Sequence, residues 1–188
     1  GGRSENGTLL ARYEIELENG RLKRHRRLRD GERPRSRRAT LWHAYVETSR
    51  PGRWFGGQTY VDVFSAAATR RFIETTHERY RECVGDHFGD TVPAIFTDEP
   101  QFAKKQTLGR ANGLSDVILP WSADFSATYR AAFGDDLFES LPELFWNLRG
   151  DAPSLTRWRY HEHTAERFAS GFGDVISKWC DKAGIALT

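Results

Sequence analysis

Residues 92–100 read VPAIFTDEP: a short apolar run, two adjacent carboxylates, then a proline. An apolar run of this length suits a strand buried in a parallel sheet. In βα folds the side chains that do chemistry sit at the carboxyl ends of such strands, on the loops that follow. Thr97, Asp98 and Glu99 fall on that spot, and Pro100 stops further pairing because it has no N–H to donate. Burial up to a carboxyl group gives it partly apolar walls, which raise its pKa. A glutamic acid held near neutrality can donate a proton to a leaving oxygen. The stretch therefore reads as a strand aiming an acid, Glu99, into a cleft. The plainer reading makes Asp98 a turn cap and Glu99 a surface residue.

Working upstream, Phe72, Ile73, Thr76, Tyr80, Cys83 and Val84 recur at helical spacing. Ser65 is placed to cap that helix, and Gly85 or Gly89 to end it. Before it, ATLWHAYVET (39–48) is rich in β-branched and aromatic residues and apolar on both faces, which suits a strand covered on both sides. Strand, loop, helix, strand makes a βαβ unit with parallel neighbouring strands. Alternation sets Leu41, His43, Tyr45 and Glu47 on one face, with Glu47 closing its strand at the height of Glu99. Neighbouring strands lie about 4.8 Å apart, so both carboxylates are expected to face one cleft. Paired carboxylates at about 5–10 Å are what glycosidic hydrolysis uses. An ion pair with Arg50 or Arg53 is the alternative for Glu47.

At the other end, Tyr13, Ile15 and Leu17 alternate with Glu14, Glu16 and Glu18, a half-buried strand. Asn19-Gly20 is a strong hairpin signal, and the charged return strand RLKRHRRL reads as an edge. Downstream of Pro100, the polar stretch QFAKKQTLGRANGLSDVILP has the length of an active-site loop. Helices are expected over 122–133 and 136–141. A long last helix carries His161, Ala165, Phe168, Phe172, Val175, Ile176, Trp179 and Cys180 as one apolar stripe, capped by Gly184. The absence of Met and the ending GIALT, which starts a strand, point to a piece of a longer protein.

The chain has 188 residues, 38% hydrophobic and 13% aromatic, enough for one sizeable core. No apolar run reaches the roughly 18 residues that span a bilayer, and GGRSENGTLL lacks a leader's layout. No membrane partner is therefore expected. Cys83 and Cys180 read as reduced, mostly buried thiols, and no Cys or His spacing suits a metal. Residues 21–38 hold ten Lys or Arg against Asp30 and Glu32, while the whole chain carries only +2. That block has no interleaved aromatics for base stacking, so it reads as a solvated arm rather than a nucleic-acid site.

Trp54, Phe55, Tyr60 and Trp121 follow strands or lie on long loops, where rings can stack on sugar faces and Asp62 or Gln58 can meet hydroxyls. For each ring singly, core packing is the simpler account. At this point WHAYVET (42–48), WFGGQTYVD (54–62), FIETTHERY (72–80) and VPAIFTDEPQF (92–102) resemble large bacterial TIM-barrel glycoside hydrolases of the β-galactosidase-like and α-L-rhamnosidase-like kinds. The resemblance implies an α/β fold, a partial (β/α)8 TIM barrel with an inserted β-hairpin at about 9–29. It implies hydrolysis of O-glycosidic bonds in a carbohydrate substrate, with Glu99 as general acid/base. Asp98 stands where the family has an Asn contacting the sugar, a departure because an ionised carboxylate accepts hydrogen bonds but cannot donate them. His43, Glu47, Trp54, Tyr60, Asp62 and Trp121 are the implied substrate-site candidates. The second carboxylate would come from a later strand, beyond residue 188, supplied by the rest of a longer chain. In an inverting, rhamnosidase-like version, calcium would be needed and Glu47 would be a partner or ligand; otherwise no cofactor is implied. The rival is a non-catalytic, carbohydrate-binding relative.

Overall fold

A computed structural model gives the fold, and the structure describes residues 6–188; the first five, part of the stretch read for a leader, lie outside them. In chain order the elements are β1 (Thr8–Glu18), β2 (Arg21–Leu28), β3 (Thr40–Val46), α1 (Ala66–Thr75), α2 (His77–Val84), β4 (Ala94–Ile95), α3 (Phe125–Phe133), α4 (Leu137–Ser140), α5 (Leu155–Phe168), α6 (Asp174–Ala183) and β5 (Ala186–Leu187). A π-helical segment, Ala169–Gly173, joins α5 to α6. The chain divides into two compact units, Gly1–Ser49 with Ala103–His163, and Arg50–Phe102 with Thr164–Thr188.

The first unit is built on an antiparallel sheet ordered β2-β1-β3. Asn19 and Gly20 both take positive φ, 51° and 75°, the pair of left-handed residues a two-residue hairpin turn requires. Tyr13 and Ile15 of β1 and Leu22 of β2 point inward and pack with Phe125, Tyr129, Leu137 and Tyr160 into one core. The polar tips of its large rings are satisfied: Tyr13 donates to the Phe138 carbonyl, Tyr160 to that of Pro120 and Trp146 to that of Ala111, each at 2.7 Å. Trp42 and Ala44 of β3 lie against this core.

The second unit holds a parallel pair, Ala94 against Ala186 and Ile95 against Leu187. Its core gathers Val63, Phe64, Ile73, Phe172, Ile176 and Cys180. The Ser65 hydroxyl accepts the Ala68 N–H at 3.3 Å and starts α1. The π-helical turn brings Gly171 so near residues 63–64 that a Cβ there would stand 2.7 Å from the Phe64 carbonyl carbon. Arg167 clamps the same turn ahead of α1 by donating to the Phe64 carbonyl at 2.6 Å.

These connections correct the barrel expectation. Among the described residues the strands form a three-stranded antiparallel sheet and a two-stranded parallel pair, with no closed barrel, so the chain is not a partial (β/α)8 TIM barrel. The βαβ unit expected between 39–48 and 92–97 does not form: β3 pairs antiparallel with β1, and β4 takes β5 as its parallel neighbour. The hairpin is accordingly no insertion but two thirds of the first unit's sheet. Nor is β3 covered on both sides, since Leu41 is 40% exposed while its neighbour Trp42 packs inward. Two smaller expectations also change. Cys180 is buried but Cys83 is exposed. On the last helix, His161 and Ala165 are exposed while Tyr160 and Thr164 are buried. The π turn adds a residue, so a stripe extrapolated back from Phe172 arrives one position late.

Candidate functional site

The backbone around VPAIFTDEP explains where its acids end up. The Pro93 and Ile95 carbonyls accept the N–H groups of Ala186 and Thr188, and the Thr97 N–H returns to the Thr188 carbonyl at 3.0 Å. Ile95 faces the core, whereas Phe96 is 72% exposed. Beyond Thr97 the pairing stops, and Asp98 and Glu99 are both exposed. Glu99 adopts φ 42°, the left-handed region that side chains other than glycine rarely occupy. The chain then sets Phe102, itself 40% exposed, against two other rings, with centroids 5.0 Å from Phe64 and 5.5 Å from Phe168. The left-handed turn at Glu99 thus carries the chain from the ladder back to an aromatic anchor, and presents the carboxylate outward.

Trp54 stands at the tip of a tight loop. The Gly52 N–H donates to Gln58, the Phe55 and Gly57 N–H groups donate back to Gly52, and Gly56 and Gly57 supply φ of 62° and 78°. Phe55 and Tyr60 brace the loop with ring centroids 4.8 Å apart, and Tyr60 packs against the core. The indole itself is 88% exposed. Asp62 accepts the Phe64 N–H at 3.0 Å, a turn before α1.

The eight residues singled out by sequence divide between the two units. Trp54, Tyr60, Asp62, Asp98 and Glu99 belong to the second, and His43, Glu47 and Trp121 to the first. His43 and Glu47 are exposed, with His43 beside Tyr45 at 6.1 Å. The expected pairing of Glu47 with Glu99 across neighbouring parallel strands is absent, because their strands belong to different sheets. Trp121 is a core ring, 4.9 Å from Phe125 and 5.7 Å from Phe138.

Sequence reasoning missed two polar centres in the first unit. Glu14 is only 2% exposed, on the sheet face opposite Tyr13. Its Oε1 accepts the N–H groups of Arg35 and Ser36 at 3.0 and 2.9 Å, and its Oε2 accepts from Arg26 at 2.8 Å. Burial pushes this carboxyl up, but the bonds from the Arg35 N–H, Arg26 and the Ser36 N–H outweigh it, and the pKa falls below its ordinary 4.5. The signal was legible as charge complementarity, since Glu14 and Glu16 sit directly across from Arg26 and Arg24. The second centre is Glu143, which takes the Ser154 hydroxyl at 2.7 Å and stands 3.4 Å from His25 Nε2. The His25 contact is the main cause of its lowered pKa, with Ser154 adding to it against desolvation. Ser154 also accepts the Arg157 N–H at 3.0 Å as the cap of α5, so it serves structure rather than attack.

Among the described residues, no group of three or more His, Cys, Asp or Glu is arranged to hold a metal ion. No helix there is long and apolar enough to cross a membrane. Comparison with known proteins returned nothing: no family model matches the chain, and neither does any curated protein or solved structure.

Proposed function

We propose that this chain handles carbohydrate and contributes Glu99 as the acid in glycosidic bond hydrolysis. The observation that carries the reading is the backbone of Glu99, a non-glycine residue held at φ 42° just past the end of a parallel strand. Strained residues of this kind cluster at functional sites, and strand ends of parallel pairs are where βα folds place chemistry. In this scheme the Glu99 carboxyl gives its proton to the glycosidic oxygen as the bond to the anomeric carbon breaks, and a water molecule bonds to that carbon, its released proton restoring the acid. A bound sugar ring over the exposed carboxylate supplies the water exclusion that the free protein lacks. Asp98 accepts hydrogen bonds from sugar hydroxyls, and Trp54 offers a face for stacking. A calcium requirement belongs to the inverting version of this proposal, and chelator-insensitive turnover would remove it.

A second reading is binding without catalysis. It is favoured by the exposure of Asp98 and Glu99, which lack the apolar walls of a poised acid, together with the exposed Trp54 ring. Turnover of a panel of aryl glycosides by the intact protein, with Glu99→Gln beside it, separates the two. Loss of turnover by at least about a hundredfold with sugar affinity kept supports the acid role. Wild-type rates in the variant refute it.

A further inference from the structure

A concavity of about 1210 Å³ lies in the first unit, at the open end of the β1–β2 hairpin and the loop that follows it. It is larger than the roughly 300–1,000 Å³ of a pocket for one small molecule, which suits a short chain of several sugar units. Leu9, Leu10 and Leu28 contribute apolar surface. Five arginines, Arg12, Arg26, Arg27, Arg29 and Arg35, face three carboxylates, Asp30, Glu32 and Glu139.

The arginines are not equivalent. Arg26 is held by Glu14 and Glu32, and Arg27 by Glu139 at 3.1 Å and Asp136 at 3.5 Å. Arg12 donates to the Glu32 carbonyl at 2.9 Å. Arg29 has no ion pair among the described residues, and Arg35, its side chain 71% exposed, reaches only to 4.0 Å from Glu32. Arg29 thus stands unpaired among the described residues and Arg35 only loosely paired, two exposed guanidinium forks shaped to take planar anions through paired hydrogen bonds.

We infer that this concavity binds an anionic oligosaccharide. The mixed lining chooses the class: guanidinium groups take the acid groups, carboxylates accept sugar hydroxyls, and leucines meet the C–H faces of the rings. A polyphosphate offers no hydroxyl donors to meet the lining carboxylates of Asp30 and Glu32. Single-stranded nucleic acid wants rings to stack on, and none lines the concavity. The inference rests on this lining and not on the role given to Glu99.

Titration calorimetry of the whole chain tests it. The probes are a short oligouronate, a sulfated oligosaccharide without carboxylates, a neutral oligosaccharide, tripolyphosphate and a short single-stranded oligonucleotide. Binding of either acidic sugar is expected, weakening with salt, with the two acidic probes telling which acid group is preferred. Arg29→Gln with Arg35→Gln should weaken it about tenfold or more. The corresponding double Lys variant, which keeps the charge and the fold but loses the forks, should weaken it less. Glu99→Gln should leave it unchanged, so this result and the fate of the catalytic reading are separate. The inference fails if neither acidic sugar binds, if both double variants bind as wild type, or if the oligonucleotide or tripolyphosphate binds as well as the sugars.

Discussion

The Glu14 carboxylate lies 2.8 Å from the Arg26 guanidinium across the β1–β2 ladder, and both oxygens of Glu14 are spoken for. This pair turns part of the arginine-rich segment that reads as a solvated arm into a folded loop. Residues 29–38 close over the sheet because Glu14 receives their backbone N–H groups, and because Glu32 takes both Arg26 and the Arg29 N–H.

Replacing Glu14 by Gln keeps the shape and one acceptor but removes the charge that Arg26 pairs with. Breaking a buried charge-assisted set of this kind costs about 2–3 kcal/mol. Urea denaturation of the variant should show an earlier midpoint with an unchanged slope. A midpoint within error of wild type would mean that the loop is not tied down through Glu14.

Acid should act through the same groups. The carboxyl groups of Glu14 and Glu143 both sit below their ordinary 4.5 in the folded chain. A depressed carboxyl contributes stability that is present above its unfolded value and is lost as pH falls through the folded one. Stability should therefore decline from about pH 5 downward, and Glu143→Gln should flatten that decline while lowering the neutral plateau. Parallel pH profiles for wild type and variant would contradict this account.

How far the sequence reveals the fold depends on the range of the forces involved. The Asn19-Gly20 turn, the Ser65 cap and the Gly184 stop are local chemistry, and each is readable from a few residues. The partner of β3 is not local. An apolar strand of this length pairs equally well either way, and the choice of β1 over β4 follows from Trp42 and Ala44 joining the Tyr13 core. The acids of VPAIFTDEP were legible as a strand end, but their exposure was not, because it depends on the turn that returns the chain to Phe102. The π turn left a trace only in retrospect, as the pair Gly171 and Gly173 within an otherwise strong helix.

Those two glycines make a matched test. A methyl group at 171 meets the Phe64 backbone at 2.7–2.8 Å, and backbone on both sides cannot move aside. Gly171→Ala should cost about 2–3 kcal/mol through overpacking. Gly173 is helical and a methyl there meets nothing within 4 Å. Gly173→Ala should be neutral or stabilising by up to about 1 kcal/mol. Equal effects of the two changes would rule out the close approach at Phe64.

Trp54 allows binding to be separated from folding. Its ring is almost wholly exposed, while the glycines and the Phe55–Tyr60 contact hold the loop. Trp54→Ala should change stability by no more than about 0.5 kcal/mol. Loss of a stacking face should nevertheless weaken neutral-sugar affinity several-fold, read by titration against wild type. An unchanged affinity would remove the indole from the proposed site.

Glu99 separates chemistry from backbone most sharply. Its φ of 42° is a conformation glycine adopts without penalty, whereas a residue with a Cβ is destabilised there by about 1 kcal/mol. Were Glu99 only a surface residue, glycine would be the better choice at this turn. Glu99→Gly should therefore raise the unfolding midpoint slightly while abolishing turnover of aryl glycosides, the trade expected where a strained residue serves function. Glu99→Ala should abolish turnover without the gain in stability, which shows that the gain comes from the backbone and not from losing the charge. If glycine leaves stability unchanged or lowers it, the turn stores no strain, and the main support for a working role at position 99 is gone.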